Sequence, residues 1–237
     1  MQFFSKKSVD FLSDIRENNN KEWFENHRDV YDEVILNPSR AFVVEFGEHL
    51  QALVPTIKAI PKINGSLFRI FRDVRLSKDK TPLKSRIGIV FWQGSGKRLQ
   101  SASFYLHFSP DALLFASGIR GFSKDSLDGY RAYIKDERHA KDLEAIMIGL
   151  KEKGYLFPEP RYKRYPRGFD KDMPYAHLSL YAAMFAYKVV EPERIYHDSL
   201  IDDAFKIYED LLPLQRWIYE MSLTFEIKDV KGKSLHL

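Results

Sequence analysis

Residues 87–119 read IGIVFWQGSGKRLQSASFYLHFSPDALLFASGI, and this stretch decides the fold. It holds three runs rich in β-branched, aliphatic and aromatic residues, Ile87 to Trp92, Ser101 to Phe108 and Ala112 to Ile119, parted by short turns of Gly, Ser, Pro and Asp. A parallel crossover needs a dozen or more residues, so connections this short make neighbouring strands antiparallel. Alternation of the same kind predicts one strand upstream, around Leu67 to Val74, and one far downstream, Phe185 to Val190. The middle of the chain is a meander. Within it, Gly94-Ser95-Gly96-Lys97 is not a phosphate loop, because Phe91 stands where that motif needs glycine and Arg98 where it needs Ser or Thr. A hairpin turn accounts for it.

Outward from the meander the period becomes helical. Toward the N-terminus, Ser8 is expected to cap a helix carrying Val9, Leu12 and Ile15. A second helix carries Trp23, Phe24, Val30, Tyr31, Val34 and Ile35 and is expected to stop at Asn37-Pro38. Pro38 opens a third, through Phe42, Val43, Phe46 and Leu50, which Pro55 ends. Toward the C-terminus the pattern predicts helices over Ser123 to Asp136 and Ala140 to Lys153, with Gly154 closing the latter. A Pro- and Tyr-rich loop then runs from Tyr155 to Pro174, and Leu178 to Met184 reads as a short helix. A last helix, Leu200 to Met221, should break or kink at Pro213. The expected fold is α+β: a central, mainly antiparallel sheet with an N-terminal three-helix segment and C-terminal helices packed on it. No repeat or long linker divides the chain, so a single domain over 1–228 with a polar tail over 229–237 is expected.

Composition removes whole classes of chemistry. With 44% hydrophobic residues and 18 Phe, 13 Tyr and 3 Trp, the 237-residue chain has ample material for a core. It has no cysteine, which excludes disulfides, thiolate nucleophiles, iron–sulfur clusters and cysteine-ligated zinc. The seven histidines show no close metal-ligand spacing, so no metal is expected. Charge interrupts the N-terminus at Lys6, Lys7, Asp10 and Asp14, and no uncharged apolar run approaches the roughly 20 residues that cross a bilayer. A cytoplasmic protein without a membrane span is expected. No motif names a cofactor or a reaction.

Charge is what localises a site. Between Arg69 and Arg86, RIFRDVRLSKDKTPLKSR sets seven Lys or Arg against two Asp, a net +5 where the whole chain carries +4. A second cluster, Arg161, Lys163, Arg164 and Arg167, has no acid within it, and the remaining chain is left at about −5. Concentrated positive charge gathers anions. If Phe68 to Leu76 is extended, Arg72 shares a face with Phe68, Ile70, Val74 and Leu76. A guanidinium there meets either a carboxylate, with Asp170 or Asp172 as the expected partner, or an anionic ligand. Arg69, Arg72, Arg75, Lys80 and Lys84, with Arg167 from the second cluster, are therefore the candidate ligand-binding set. Acid–base candidates are Asp73, Asp170 and His27. Tyrosines interleaved with cations in Arg161-Tyr162-Lys163-Arg164-Tyr165-Pro166-Arg167 could stack on single-stranded nucleic acid, but tyrosines beside prolines also serve as hydrophobic anchors, and seven residues make a short stripe.

The run from Phe68 to Lys84 resembles the signature of the domain of unknown function 2461 family of bacterial and fungal proteins. Asn18-Asn19-Asn20-Lys21-Glu22-Trp23-Phe24 is similar to that family's N-terminal helix entry, and Arg167-Gly168-Phe169-Asp170-Lys171-Asp172-Met173-Pro174 to its later loop. Leu83 stands in place of an aromatic residue and Met173 in place of a histidine. The likeness covers roughly residues 3 to 220 and implies a single intracellular domain, with no activity, cofactor or catalytic residue attached. Three readings remain open: a cationic pocket for a small phosphorylated or carboxylated ligand, in an enzyme or a binding protein; a nucleic-acid-binding accessory protein; and a basic segment that is a structural ion-pair network. The oligomeric state is not fixed by any of them.

Overall fold

The computed structural model describes residues 2–230, with side chains described to residue 224. The fold is α+β with a four-stranded antiparallel sheet, β1 (Ile87–Trp92), β2 (Ser103–Phe108), β3 (Leu113–Ile119) and β4 (Met184–Val190), hydrogen-bonded in that order. β1 is buried along its whole length, which explains its unbroken apolar run IGIVFW. β2 and β3 alternate more, with Phe104, Leu106, Phe108, Leu113 and Phe115 turned inward.

The chain divides into two compact units. One takes residues to Phe91 with Tyr105–Phe115 and Val189–Ile207, and the other takes Trp92–Phe104, Ala116–Lys188 and the chain from Tyr208. In the first, helices α1 (Lys6–Glu17), α2 (Lys21–Asn26), α3 (Arg28–Tyr31) and α4 (Asn37–Gln51) supply the aromatic core. Phe4 lies 4.8 Å from Phe108, and Phe46 meets Phe91 edge-on at 5.6 Å. In the second, α5 (Lys124–Tyr133), α6 (Glu137–Glu152) and most of α7 (Leu200–Val230) do the same, with Tyr208 stacked on Phe104 at 4.7 Å. The Gly154 stop is a Schellman motif: Gly154 is left-handed (φ 81°), its N–H bonds the Lys151 carbonyl at 2.9 Å, and the Tyr155 N–H bonds that of Leu150 at 3.0 Å. The tail expected over 229–237 lies, beyond its first two residues, outside the described residues. Among the described residues no helix is long and apolar enough to cross a membrane.

Four local expectations are corrected. Ser8 is not the cap of α1; Ser5 is, and the Ser8 hydroxyl accepts the Ser5 N–H at 3.1 Å from the first turn. The helix does not stop at Asn37-Pro38 either. A π-helical turn, Asp32–Leu36, joins α3 to α4, and Asn37 keeps helical angles. Pro38 cannot donate to the Val34 carbonyl four residues back, and the buried Ser8 hydroxyl donates to it instead, at 2.8 Å. Likewise α7 runs through Pro213 unbroken. Tyr208, Leu211, Leu214, Trp217 and Ile218 are buried on both sides of it, and that packing outweighs the roughly 3 kcal/mol a helix-interior proline costs.

The fourth correction concerns Leu67 to Val74, which is not a strand of the sheet. Residues 66–68 lie against 88–90, with Phe68 N–H on Gly88 O (3.1 Å) and Val90 N–H on Ser66 O (2.9 Å). Residues 70–72 then lie against 82–84, with Lys84 N–H on Ile70 O (2.9 Å) and Arg72 N–H on Pro82 O (2.8 Å). Between the two pairings, Arg69 on one side faces three residues, Ser85 to Ile87, on the other. That excess is a bulge, which breaks the ladder into isolated bridges and bends the pair. Pro82, which has no N–H, shortens it further. The result is an arm, residues 69–86, rather than a fifth strand.

Candidate functional site

The arm carries Arg69, Arg72, Asp73, Arg75, Lys80 and Lys84, so the structure brings six of the sequence-derived candidates together. Ile70 and Leu83 are buried at its base, and Phe71 packs edge-on against Phe24 of α2 at 5.4 Å. The tip is open, with Leu76 fully exposed. An arm with so little apolar burial holds its shape through polar bonds, and three of its cations supply them. The Arg72 guanidinium donates to the Asp79 carboxylate and to the Thr81 hydroxyl. Asp79 in turn accepts the Thr81 N–H at 2.9 Å and the Thr81 hydroxyl at 2.8 Å, an Asx turn written locally as Asp79-Lys80-Thr81. The Thr81 N–H, the Arg72 guanidinium and the Thr81 hydroxyl, in that order of effect, lower the Asp79 carboxyl to about 2. The carboxylate on Arg72 therefore comes from the arm itself, where the sequence pointed to Asp170 or Asp172. The Lys80 ammonium donates to the Val74 carbonyl at 2.9 Å, and that of Lys84 to the Arg69 carbonyl at 2.7 Å.

Arg75 and Arg69 are arranged differently. Arg75 grips the Asp73 carboxylate with its fork, Nε to Oδ1 at 2.9 Å and Nη2 to Oδ2 at 2.6 Å, and its backbone N–H reaches Oδ1 at 3.3 Å. Arg69 Nη2 stands 4.0 Å from the same Oδ2. The Arg75 bonds hold the Asp73 carboxyl well below the usual carboxylate range. Arg75 is the most open of these, its side chain 85% exposed against 54% for Arg69 and 27% for Arg72.

The Asn18–Phe24 block meets the arm. The Asn19 side chain closes on the backbone of Leu83 from both sides, accepting its N–H at 2.9 Å and donating to its carbonyl at 3.0 Å. Asn20 caps α2 by accepting the Trp23 N–H at 2.8 Å. His27 closes that helix, stacked on Trp23 at 4.2 Å, and its Nδ1 donates to the Trp23 carbonyl at 2.7 Å. A carbonyl only accepts, so the bond places a proton on Nδ1 and makes Nε2 the acceptor of the neutral ring. Asn19 was missed from sequence, since nothing local marks a bond spanning 64 residues.

Arg167 and Asp170 lie in the other unit, on the loop after α6. There Arg161 and Tyr162 both donate backbone N–H groups to the Leu180 carbonyl, and the Tyr162 ring receives the Arg131 guanidinium at 4.8 Å. Tyr162 is thus engaged by a cation of its own chain. The Asp170 N–H points at the Met173 sulfur at 3.2 Å, and Asp170 and Asp172 are exposed. This unit also has a concavity of about 360 Å³ lined by Lys151, Tyr155, Phe157, Glu159 and Tyr181 among others. Lys151 sits over the Phe157 ring at 5.8 Å, and burial, then the nearby Glu159 carboxylate, raises the Tyr181 phenol. Its mixed charge does not suit an anion. Among the described residues, no group of three His, Asp or Glu is placed to hold a metal ion.

Fold and arm define a class: an α+β protein that displays a cation-rich hairpin braced by its own ion pairs. The chain belongs to the family described as conserved hypothetical protein (DUF2461), whose model matches residues 7–217. No curated protein matches it. The matched span contains the whole arm, the Asn18–Phe24 block and the Arg167–Pro174 loop.

Proposed function

We propose that this protein acts in the cytoplasm by binding a small phosphorylated or carboxylated anion on the cationic arm. The supporting observation is the division of labour among the arm's cations. Arg72, Lys80 and Lys84 hold the arm in shape, whereas Arg69 and Arg75 face the same carboxylate oxygen of Asp73. A guanidinium fork pre-set on a carboxylate, with a second guanidinium beside it, has the donor geometry that recognises carboxylate and phosphate. The net charge of the segment raises the local concentration of such anions. A second reading, a nucleic-acid backbone as the ligand, is favoured by one feature: Arg75 and the neighbouring Leu76 are open to solvent, and an open cationic surface also suits a polyanion.

The test is thermal stabilisation of the full chain by pyrophosphate, malonate and an oligothymidylate, at low and near-physiological salt. A ligand that binds only the folded state raises the melting temperature by mass action. Stabilisation by pyrophosphate or malonate that Arg75→Gln removes supports the small-anion reading. Stabilisation by the oligonucleotide alone, falling steeply with salt, supports the second. No stabilisation by any of the three overturns both.

A further inference from the structure

We propose that Asp73 is a resident occupant of the arm's anion seat, and that the ligand which displaces it presents a phosphate monoester or pyrophosphate group rather than a carboxylate. The inference rests on the arm being the anion-binding element.

The Asp73 carboxylate fills the Arg75 fork, with both oxygens bonded at 2.9 and 2.6 Å. Arg69, at 4.0 Å from Oδ2, is close enough to attract the charge but too far to donate a hydrogen bond. A carboxylate has two oxygens, and Arg75 takes both. A tetrahedral phosphoryl group in the same fork carries a third oxygen outside the fork's plane, which is the atom Arg69 lacks.

Charge selects in the same direction. A monocarboxylate entering the seat exchanges one single negative charge for another, so nothing electrostatic drives the exchange. A phosphate monoester brings about −1.5 to −2 at neutral pH, and both guanidiniums gain from the difference. A phosphodiester carries only one charge, which sets a nucleic-acid backbone behind a monoester for this seat.

The exchange is structurally cheap. Asp73 is exposed and two residues from Arg75, and it takes no part in the Arg72–Asp79–Thr81 bonds, the Lys80–Val74 bond or the Lys84–Arg69 bond. Its side chain can turn to water while the arm keeps its shape. A carboxyl is ionised throughout the neutral range, and the Arg75 bonds favour the charged form further, so the seat holds an anion there.

Calorimetric titration of the full chain with pyrophosphate, phenyl phosphate, dimethyl phosphate and benzoate, a monocarboxylate matched to phenyl phosphate, at a chloride concentration of about 0.15 M where long-range fields are screened within about 8 Å, tests this. Pyrophosphate and phenyl phosphate should bind more tightly than dimethyl phosphate or benzoate. Asp73→Asn should tighten pyrophosphate by about threefold to fivefold, the size of one exposed ion pair's competition. Arg69→Gln should weaken pyrophosphate and leave benzoate unchanged, and Arg75→Gln should weaken both, with unchanged circular dichroism showing that the variants are folded. If Arg75→Gln weakens binding but Asp73→Asn does not tighten it, or benzoate or dimethyl phosphate matches pyrophosphate, the resident-carboxylate proposal is overturned and the arm remains the site. If neither Arg75→Gln nor Arg69→Gln changes any affinity, the arm is not the site.

Discussion

Replacing Asn19 by alanine should loosen the arm without touching one of its charges. The Asn19 amide makes two hydrogen bonds to Leu83, at 2.9 and 3.0 Å, and Leu83 is only 2% exposed. Each bond is worth about 0.5–1.5 kcal/mol net, and a buried N–H or carbonyl left without a partner costs about 1–3 kcal/mol more. Partial entry of water recovers some of that, so a loss of about 2–3 kcal/mol is expected, which in a chain of this length lowers the melting temperature by roughly 5–10 °C. Urea unfolding followed by tryptophan fluorescence measures the loss, and hydrogen exchange at the Leu83 amide localises it. Pyrophosphate affinity should fall as well, because Phe71 and the pairing of residues 70–72 with 82–84 rest on this clamp. A loss below about 0.5 kcal/mol with Leu83 still protected would show instead that water or the backbone satisfies Leu83 unaided and that Asn19 is no clamp.

Three further outcomes follow from the packing. Gly118 has φ 127°, and a Cβ there would stand 2.2 Å from the Met184 carbonyl oxygen and 2.6 Å from the Phe185 Cα. Gly118→Ala should therefore cost about 3 kcal/mol or more, or prevent folding, as read by soluble yield and urea unfolding; a near-neutral result would contradict the close β3–β4 approach. Pro213 is exposed inside α7, so Pro213→Ala restores a helical bond without emptying the core and should stabilise by about 1–2 kcal/mol in urea unfolding; destabilisation would show that the proline ring packs or kinks usefully. Burial, then the Asp32 carboxylate, raises the Tyr31 phenol to about 12 from 10.0. The folded state thus keeps a proton that the unfolded chain releases, so this contribution to stability is intact below pH 10 and is lost as pH rises toward 12. Tyr31→Phe lacks that loss, and its stability relative to the unsubstituted protein should improve across this window; a pH-independent difference would contradict it.

What was legible in the sequence was whatever had a local cause. Three short-turned apolar runs made an antiparallel meander, and Gly154 closed α6, because periodicity and turn chemistry act over a few residues. What was not legible came from distant partners or from counting across a pair. Pro38 read as a stop because nothing local shows that Ser8 will satisfy the Val34 carbonyl. Residues 67–74 alternate like a strand, but the two surplus residues that break their pairing lie on the opposite side of the arm. Pro213 read as a break because burial on both sides of it is a tertiary fact. At the site, the charge of residues 69–86 marked the arm, and the Asp79-x-Thr81 spacing could have identified the partner of Arg72. Asn19 could not have been found in that way, since its bonds to Leu83 exist only once α2 and the arm have packed.

The central claim, that the arm is an anion seat formed by Arg75 and Arg69, is tested most directly by nuclear magnetic resonance of the arginine Nε–Hε groups during titration with pyrophosphate. Saturable shifts are expected, largest at Arg75 and Arg69, with the Asp73 carboxyl carbon moving along the same binding curve as its bond to Arg75 is exchanged. Shifts largest at any other arginine, or none at millimolar pyrophosphate, would contradict it.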